Sequence, residues 1–395
     1  MTKQRREYES THQWLTFGVN FKKAGPGFWA TLGECVSKCE HIAGVPLRPD
    51  VAQQLHSVYL AKGILGTTAI EGNTLSEEEV QRHLEGKLTL SPDKEYLKQE
   101  IDNILQESNA MLSRIHEGEV LQLTLERIKD INKIVLKGLS LAPEVVPGKI
   151  RHYSVGVMTY RGAPWQDCEY LYTRLCEWLN SDDFRPQSGL SEMQMSVLKA
   201  VLGHLYVEWI HGFGDGNGRT GRMLEVQILL SAGVPSPAAH LLSNHYNLTR
   251  REYLAQLKHA SESGGDVLPF LNYAIQGFLA GLKEQLAYIR NLNMHVSWVN
   301  FVHDVFRHQQ SKARDRQRML ALDIAHQSNS TSISELGELS PRLAKAYANL
   351  HPRAINRDVD YLISVDLVKR EGRKIRANLE IMENFLPIRA GRRVS

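Results

Sequence analysis

His211-Gly212-Phe213-Gly214-Asp215-Gly216-Asn217-Gly218-Arg219-Thr220-Gly221-Arg222 sets an imidazole, a carboxylate, an amide and two guanidinium groups among closely spaced glycines. No core-forming segment has this make-up. Val197, Val201 and Leu205 recur at four-residue spacing beside Leu198 and Leu202, which predicts an apolar helix ahead of the stretch. A second apolar run, Met223 to Leu230, follows it. The pattern therefore reads as helix, tight glycine loop, helix, with main-chain N–H groups gathered at the start of the second helix. A phosphate chain fits such a place.

Each residue type in the stretch has a chemical use. Gly216 and Gly218 let main chain approach an anion without Cβ interference. Asn217 adds an amide donor. Arg219 and Arg222, three residues apart, share one helical face near its N-terminus, so both forks can reach neighbouring phosphates. Asp215 is a hard oxygen ligand suited to Mg²⁺ shared with substrate phosphates. His211 has an intrinsic pKa suited to taking a proton from a hydroxyl. Phe213 anchors the loop in the core.

The stretch resembles the signature of the Fic family, His-Pro-Phe-x-Asp/Glu-Gly-Asn-Gly-Arg-x-x-Arg. One position departs, since Gly212 stands where the family has proline, which would stiffen the chain beside His211. The resemblance implies a mainly α-helical domain with a small β-hairpin flap, acting as a protein adenylyltransferase that moves AMP from ATP to a Ser, Thr or Tyr hydroxyl. In that reading His211 is the general base and Asp215 holds Mg²⁺. Gly216, Asn217 and Gly218 cradle phosphoryl oxygens, Arg219 holds the β-phosphate and Arg222 the γ-phosphate. Thr220 and Gly221 complete the nucleotide-binding stretch. Upstream, Thr67-x-x-x-Glu71-Gly72 is similar to the family's inhibitory motif, which implies that Glu71 pairs with Arg222 and blocks the γ-phosphate. Read from residues alone, Gly72 and Asn73 stop a helix begun at Pro49, and Ser76 with Glu79 makes a capping box for the next. Glu71 then lies near a helix C-terminus, where negative charge is disfavoured and needs compensation.

Helical pattern covers residues 92–112, 123–139 and 167–180. Between them the period changes over 152–160, and Gly162-Ala163-Pro164 signals a turn, so a short hairpin is predicted. The resemblance makes Val157, Met158, Thr159 and Tyr160 a flap that touches nucleotide and target, and puts Tyr253 beside the adenine. The expected division is a lead-in at 1–48, helices carrying the inhibitory motif at 49–140, the catalytic core at 141–290 and a separate domain at 300–395.

Basic and acidic residues nearly balance, at 47 and 44, which argues against a polyanion-binding chain as a whole. From Phe301 onward 17 basic residues face 11 acidic ones. A helix through Arg307, Lys312, Arg314, Arg316 and Arg318, a second over 353–365 and two short strands at 368–370 and 374–376 read there as a winged helix-turn-helix module. Such a module can contact DNA or form a dimer. Four cysteines without CxxC spacing read as buried thiols rather than a disulfide or zinc framework. The N-terminus has no apolar h-region and no long apolar span follows, so a cytoplasmic chain without membrane contact is expected. The partners implied are ATP and a hydroxyl-bearing protein, with self-modification and a homodimer also open. Three other readings remain at this stage: removal of AMP from a modified protein, phosphotransfer, and a DNA-binding regulator with a nucleotide-sensing domain.

Overall fold

Pro26 and Pro49 each sit in the first turn of a long helix, where proline's missing N–H costs nothing. These are α2 (Pro26–Gly44) and α3 (Pro49–Ala69), preceded by the single turn α1 (Tyr8–Thr11). The structure is a computed structural model describing residues 6–89, 94–157, 160–186, 189–309, 311–327 and 329–385. The stretch read as a lead-in thus contains a helix of 19 residues that the glycines and prolines hid. Its buried positions, Phe28, Leu32, Cys35, Cys39 and Ile42, follow helical spacing.

The capping box forms as expected, with Ser76 and Glu79 exchanging bonds at the start of α4 (Glu77–Leu84). Then come α5 (Glu95–His116), α6 (Leu125–Val135) and a two-residue ribbon, β1 (Gly156–Val157) paired antiparallel with β2 (Tyr160–Arg161). The expected hairpin is therefore present but much shorter than 152–160. Met158 and Thr159 lie outside the described residues. α7 (Trp165–Leu179), α8 (Glu192–Ile210) and α9 (Asn217–Ser231) follow. After them come α10 (Ser236–Ala239), α11 (Leu241–Leu248), α12 (Arg250–Glu262) and α13 (Leu268–Phe306).

The chain divides into two compact units, Met1–Leu286 and Ala287–Ser395, and α13 contributes to both. In the first unit α8 and α9 make the most extensive helix pair. Every residue of α9 from Asn217 to Leu230 is buried, so this helix has no solvent face and its polar residues must be paired inside. α3 lies close against α11, and two glycines permit it. A Cβ at Gly63 would come within 2.1 Å of the His240 Cβ, and one at Gly66 within 2.7 Å of the Ser243 carbonyl oxygen.

The second unit contains α14 (Lys312–Ala325), β3 (Thr331–Ser332), α15 (Pro341–Tyr347), α16 (Arg353–Ser364), β4 (Val368–Glu371) and β5 (Lys374–Ala377). Its sheet runs β3-β5-β4, all antiparallel, around a core that includes Trp298, Leu320, Val359, Leu362 and Ile375. The expected helix through Arg307 to Arg318 is broken: α13 ends at Phe306, and Ser311 caps a new helix by accepting from the Arg314 N–H at 3.2 Å. Asp358 is buried and accepts from Arg316, Gln317 and Tyr347, which pins α16 to α14 and α15.

Gly66→Ala tests the α3–α11 contact that carries the end of α3 to the site. Overpacking against main chain should cost about 1–3 kcal/mol, read as a lowered thermal midpoint. An unchanged midpoint would contradict the packing described.

Candidate active site

α8 is mostly apolar over its last four turns, with Lys199, His204 and Glu208 the charged or titratable exceptions, and ends because His211 adopts the left-handed conformation, φ 48° and ψ 49°. A non-glycine residue there costs roughly 1–2 kcal/mol, so its neighbours must hold it. The His211 N–H bonds to the Val207 carbonyl at 3.0 Å, and the buried Arg151 donates from Nε to the His211 carbonyl at 2.8 Å. Phe213 is buried, stacks on Tyr172 at 5.4 Å and exchanges two hydrogen bonds with the Asn217 side chain. Gly216 then takes φ 74° and starts α9. Buried Asn132 fastens the far side of the turn, donating to the Asp215 carbonyl at 3.0 Å and to Thr220 at 3.2 Å.

The loop lines a cavity of about 1050 Å³, shared with Glu71, both ribbon strands, Glu208 and α12. His211, Asp215, Gly216, Asn217, Gly218, Arg222, Val157, Tyr160 and Tyr253 all line it, as the sequence reading placed them. Arg219, Thr220 and Gly221 do not. Arg219 points behind the loop, pairing with Glu100 at 2.6 Å and Asp215 at 3.1 Å, Thr220 bonds Asn132, and Gly221 packs on His204. The expectation that Arg219 meets the β-phosphate thus has no counterpart in this arrangement. Tyr253 lies 1 % exposed, its hydroxyl bonded to His204 at 3.0 Å and 3.3 Å from Glu208, so it shows the cavity only a small part of its ring.

Arg222 is completely buried and faces two carboxylates. Its Nη2 donates to Glu71 Oε1 at 2.5 Å and to the Thr67 carbonyl at 3.0 Å, while Nη1 lies 3.9 Å from Glu208. Burial opposes its charge, and the carboxylates of Glu71 and Glu208 more than offset that, holding it protonated. Thr67 and Gly72 shape the delivery of Glu71. Gly72 turns the chain at φ 108°, and Asn73 is tied to Leu97 and to Glu100, both at 2.9 Å. A Cβ on Gly218 would meet Glu71 Oε1 at 2.3 Å, Arg222 Nη1 at 2.9 Å and Glu208 Oε1 at 3.0 Å. Glu71 therefore places its carboxylate at the N-terminus of α9, the position that attracts an anion.

His211 Nδ1 faces the Glu208 carbonyl at 3.3 Å, which assigns the proton to Nδ1 and leaves Nε2 as the acceptor. Burial lowers its pKa, partly countered by the Glu208 carboxylate 3.9 Å away, so the ring is neutral near pH 7. Burial alone would raise the Glu208 carboxyl, but the hydrogen bond and charge of His204, together with the Arg222 guanidinium, hold it well below the ordinary carboxylate range. His204 in turn is buried between Glu208 at 3.6 Å and Glu225 at 3.5 Å, and these charges raise its pKa against burial.

Asp215 is the hard-ligand candidate. Its side chain is 45 % exposed, and Oδ1 accepts from the Gly216 N–H and Arg219, leaving Oδ2 available. Among the described residues no cluster of three or more His, Cys, Asp or Glu could hold a metal. These residues fit a cation bound by one carboxylate and completed by substrate phosphates, as Mg²⁺ prefers.

Several residues escaped the sequence reading. Glu208 had a readable signal, an acid three residues before the histidine in an otherwise apolar turn. Asn132, Arg151 and Glu100 had none, because their partners in the loop and α9 lie 60 or more residues away. Thr11, His12 and Trp14 also line the cavity, and His12 Nε2 meets the Arg161 carbonyl of β2 at 2.9 Å. All four cysteines are free and buried, their thiols pushed up by burial, to about 12 for Cys35, Cys39 and Cys176.

A helical domain with a neutral, strained histidine beside a helix start suited to an anion and a buried arginine defines an anion-receptive class of site. Comparison sharpens the assignment: residues 122–229 match the model of the Fic/DOC family. It is similar to the protein adenylyltransferase Fic of Nematostella vectensis, 29% identical over 214 residues covering 53% of this chain and 45% of the relative. It is equally similar to protein adenylyltransferase fic-1 of Caenorhabditis briggsae, 29% identical over 262 residues covering 60% and 46%. The chain spans less than half the length of these curated relatives. In fold it resembles a Fic family protein from Desulfovibrio desulfuricans G20, with TM-score 0.56, 18% identity and coverage of 90% of this chain and 97% of the other. It also resembles Fic-1 of C. elegans, with TM-score 0.52, 23% identity and coverage of 67% and 73%. No helix among the described residues is long and apolar enough to cross a membrane.

The electrostatics make a prediction for His211. In a ring-nitrogen NMR titration its pKa should lie below the ordinary value of about 6.5 and fall further in Glu208→Gln, because a charge favouring the imidazolium is removed. A rise in Glu208→Gln would contradict the assigned contact.

Proposed function

We propose that this protein transfers AMP from ATP to a hydroxyl group of a protein and that Glu71 holds the activity down. The observation carrying the proposal is the meeting of Glu71, Arg222 and the N-terminus of α9 over Gly218, in the same cavity as His211. The similarity to protein adenylyltransferases of Nematostella vectensis and Caenorhabditis briggsae supports the same chemistry.

In the reaction, the target hydroxyl oxygen attacks the α-phosphorus while the bond to the oxygen bridging the β-phosphate breaks, and pyrophosphate leaves. The hydroxyl proton passes to His211 Nε2, which is free because Nδ1 is committed to the Glu208 carbonyl. Asp215 would hold Mg²⁺, which neutralises phosphate charge when bound. Main-chain N–H groups of Asn217 and Gly218, at the start of α9, are the donors offered to the phosphoryl oxygens, commonly the largest contribution to such transfers. Arg222 receives the γ-phosphate once Glu71 has moved away. The flexible end of Glu71, 31 % exposed, is the part that must move.

Removal of AMP from a modified protein is the second reading, favoured by the position of the Glu71 carboxylate inside the cavity, where it could orient a water molecule. For the second unit we propose a winged helix-turn-helix module on its order of helices and strands. Nucleic-acid binding there has less support, because Lys369, Arg370 and Arg376 of its hairpin are already paired with Glu380, Asp360 and Glu371.

Incubation with Mg²⁺, cell lysate and ATP labelled at the α- or γ-phosphate separates these readings. Glu71→Gly should transfer α-label to protein at least about 10-fold faster than wild type, and Glu71→Gly/His211→Ala should lose about 10²–10⁴-fold of that rate. Transfer of γ-label would make the protein a kinase. Loss of AMP removal in Glu71→Gly, without gain of transfer, would favour the second reading.

A further inference from the structure

The peptide joining His211 to Gly212 is fixed at each of its polar groups. The His211 carbonyl accepts from Arg151 Nε at 2.8 Å, the Gly212 N–H donates to the Tyr172 hydroxyl at 3.1 Å, and the Gly212 carbonyl accepts from the Arg151 N–H at 3.0 Å. Tyr172 comes from α7, 40 residues earlier, and is fully buried. Its ring occupies the space a side chain at 212 would need: a Cβ there would lie 2.5 Å from Cε2 and 3.1 Å from Cζ, with Cys168 Cβ at 3.3 Å. These neighbours are a ring packed on Phe213 and a Cβ close to main chain, so neither can swing aside as a flexible tip would. Glycine at 212 and tyrosine at 172 are thus a matched pair, one giving room and an N–H, the other a ring and an acceptor.

His211 sits immediately before this contact in a left-handed conformation that its own side chain disfavours. A strained residue persists only where its surroundings over-determine it. We propose that Tyr172 is a positioning residue for His211, its hydroxyl locking the 211–212 peptide and hence the direction of the imidazole. The proposal rests on His211 being the base. It explains how the loop stays rigid with glycine beside the histidine: the stiffness comes from a tertiary hydrogen bond in place of a restricted ring. Proline at 212 would remove the N–H that Tyr172 accepts and drive its own ring into the tyrosine.

Tyr172→Phe removes only the hydroxyl and keeps the ring against Phe213. In the Glu71→Gly background it should lower kcat for AMP transfer about 10-fold with KM for ATP unchanged within about two-fold, since a misplaced base damages the transition state and not nucleotide binding. Gly212→Ala should lose at least as much, and Gly212→Ala/Tyr172→Leu, which clears the ring, should recover part of that loss. A ring that merely fills the core predicts a lower thermal midpoint with kcat intact. Ring-nitrogen NMR of His211 without nucleotide gives a readout independent of turnover: wild type should show one Nδ1-protonated tautomer and Tyr172→Phe a mixture. If Glu71→Gly transfers no AMP, the functional reading fails while the tautomer result still decides the positioning role. An unchanged tautomer in Tyr172→Phe, or full kcat in Tyr172→Phe or Gly212→Ala, would overturn the proposal.

Discussion

A guanidinium with no solvent contact is tolerated only where fixed carboxylates and carbonyls replace its water. Arg222 is that group in this protein, and much of the first unit serves it. α3 ends where it does so that Thr67 can offer a carbonyl and Glu71 a carboxylate. The Asn73 side chain then reaches across to α5, where Glu100 accepts from Asn73 through one oxygen and from Arg219 through the other. One acid thereby ties the segment bearing Glu71 to the helix bearing Arg222. The same carboxylate-for-phosphate substitution that satisfies the buried charge also fills the anion position above Gly218. Under the proposed function, stability of the protein and occlusion of its nucleotide site are one contact.

A second requirement is rigidity around His211. Its left-handed backbone aims the imidazole into the cavity at an energetic cost that Arg151, Tyr172 and Val207 offset through hydrogen bonds. Glu208 then sets the state of the ring from two directions, its carbonyl choosing the tautomer and its carboxylate opposing the effect of burial. His204 and Glu225 extend this network into the core, where Tyr246 and Tyr253 supply hydroxyls to the two acids. The imidazole of His211 is accordingly neutral and held, while Arg222, eleven residues on, is charged and held.

What the sequence disclosed follows from how local each cause is. The glycine loop, its flanking helices, the stop at Gly72-Asn73 and the capping box at Ser76 are set by neighbouring residues, and all form. The meeting of Glu71 with Arg222 crosses 151 positions and was reachable only because two recognisable motifs bracket it. Arg151, Asn132, Glu100 and Tyr172 act on the loop and the start of α9 through long-range hydrogen bonds and carry no local mark. Arg219 shows the limit of reading a helical face. Its spacing from Arg222 is right for a shared face, yet nearby acids at 100 and 215 draw its guanidinium behind the loop. α2 was overlooked because its prolines and glycines fall before the helix or in its first turns, where they do little harm.

Calorimetric affinities for ATP and ADP, compared between wild type and Glu71→Gly at one ionic strength, address most directly whether Glu71 stands in for the terminal phosphate. If it does, wild type should bind the two nucleotides almost equally, while Glu71→Gly should bind ATP about 10-fold or more tighter than ADP, a gain of about 1.4 kcal/mol from the freed arginine. The same ATP-to-ADP ratio in both proteins would contradict the account.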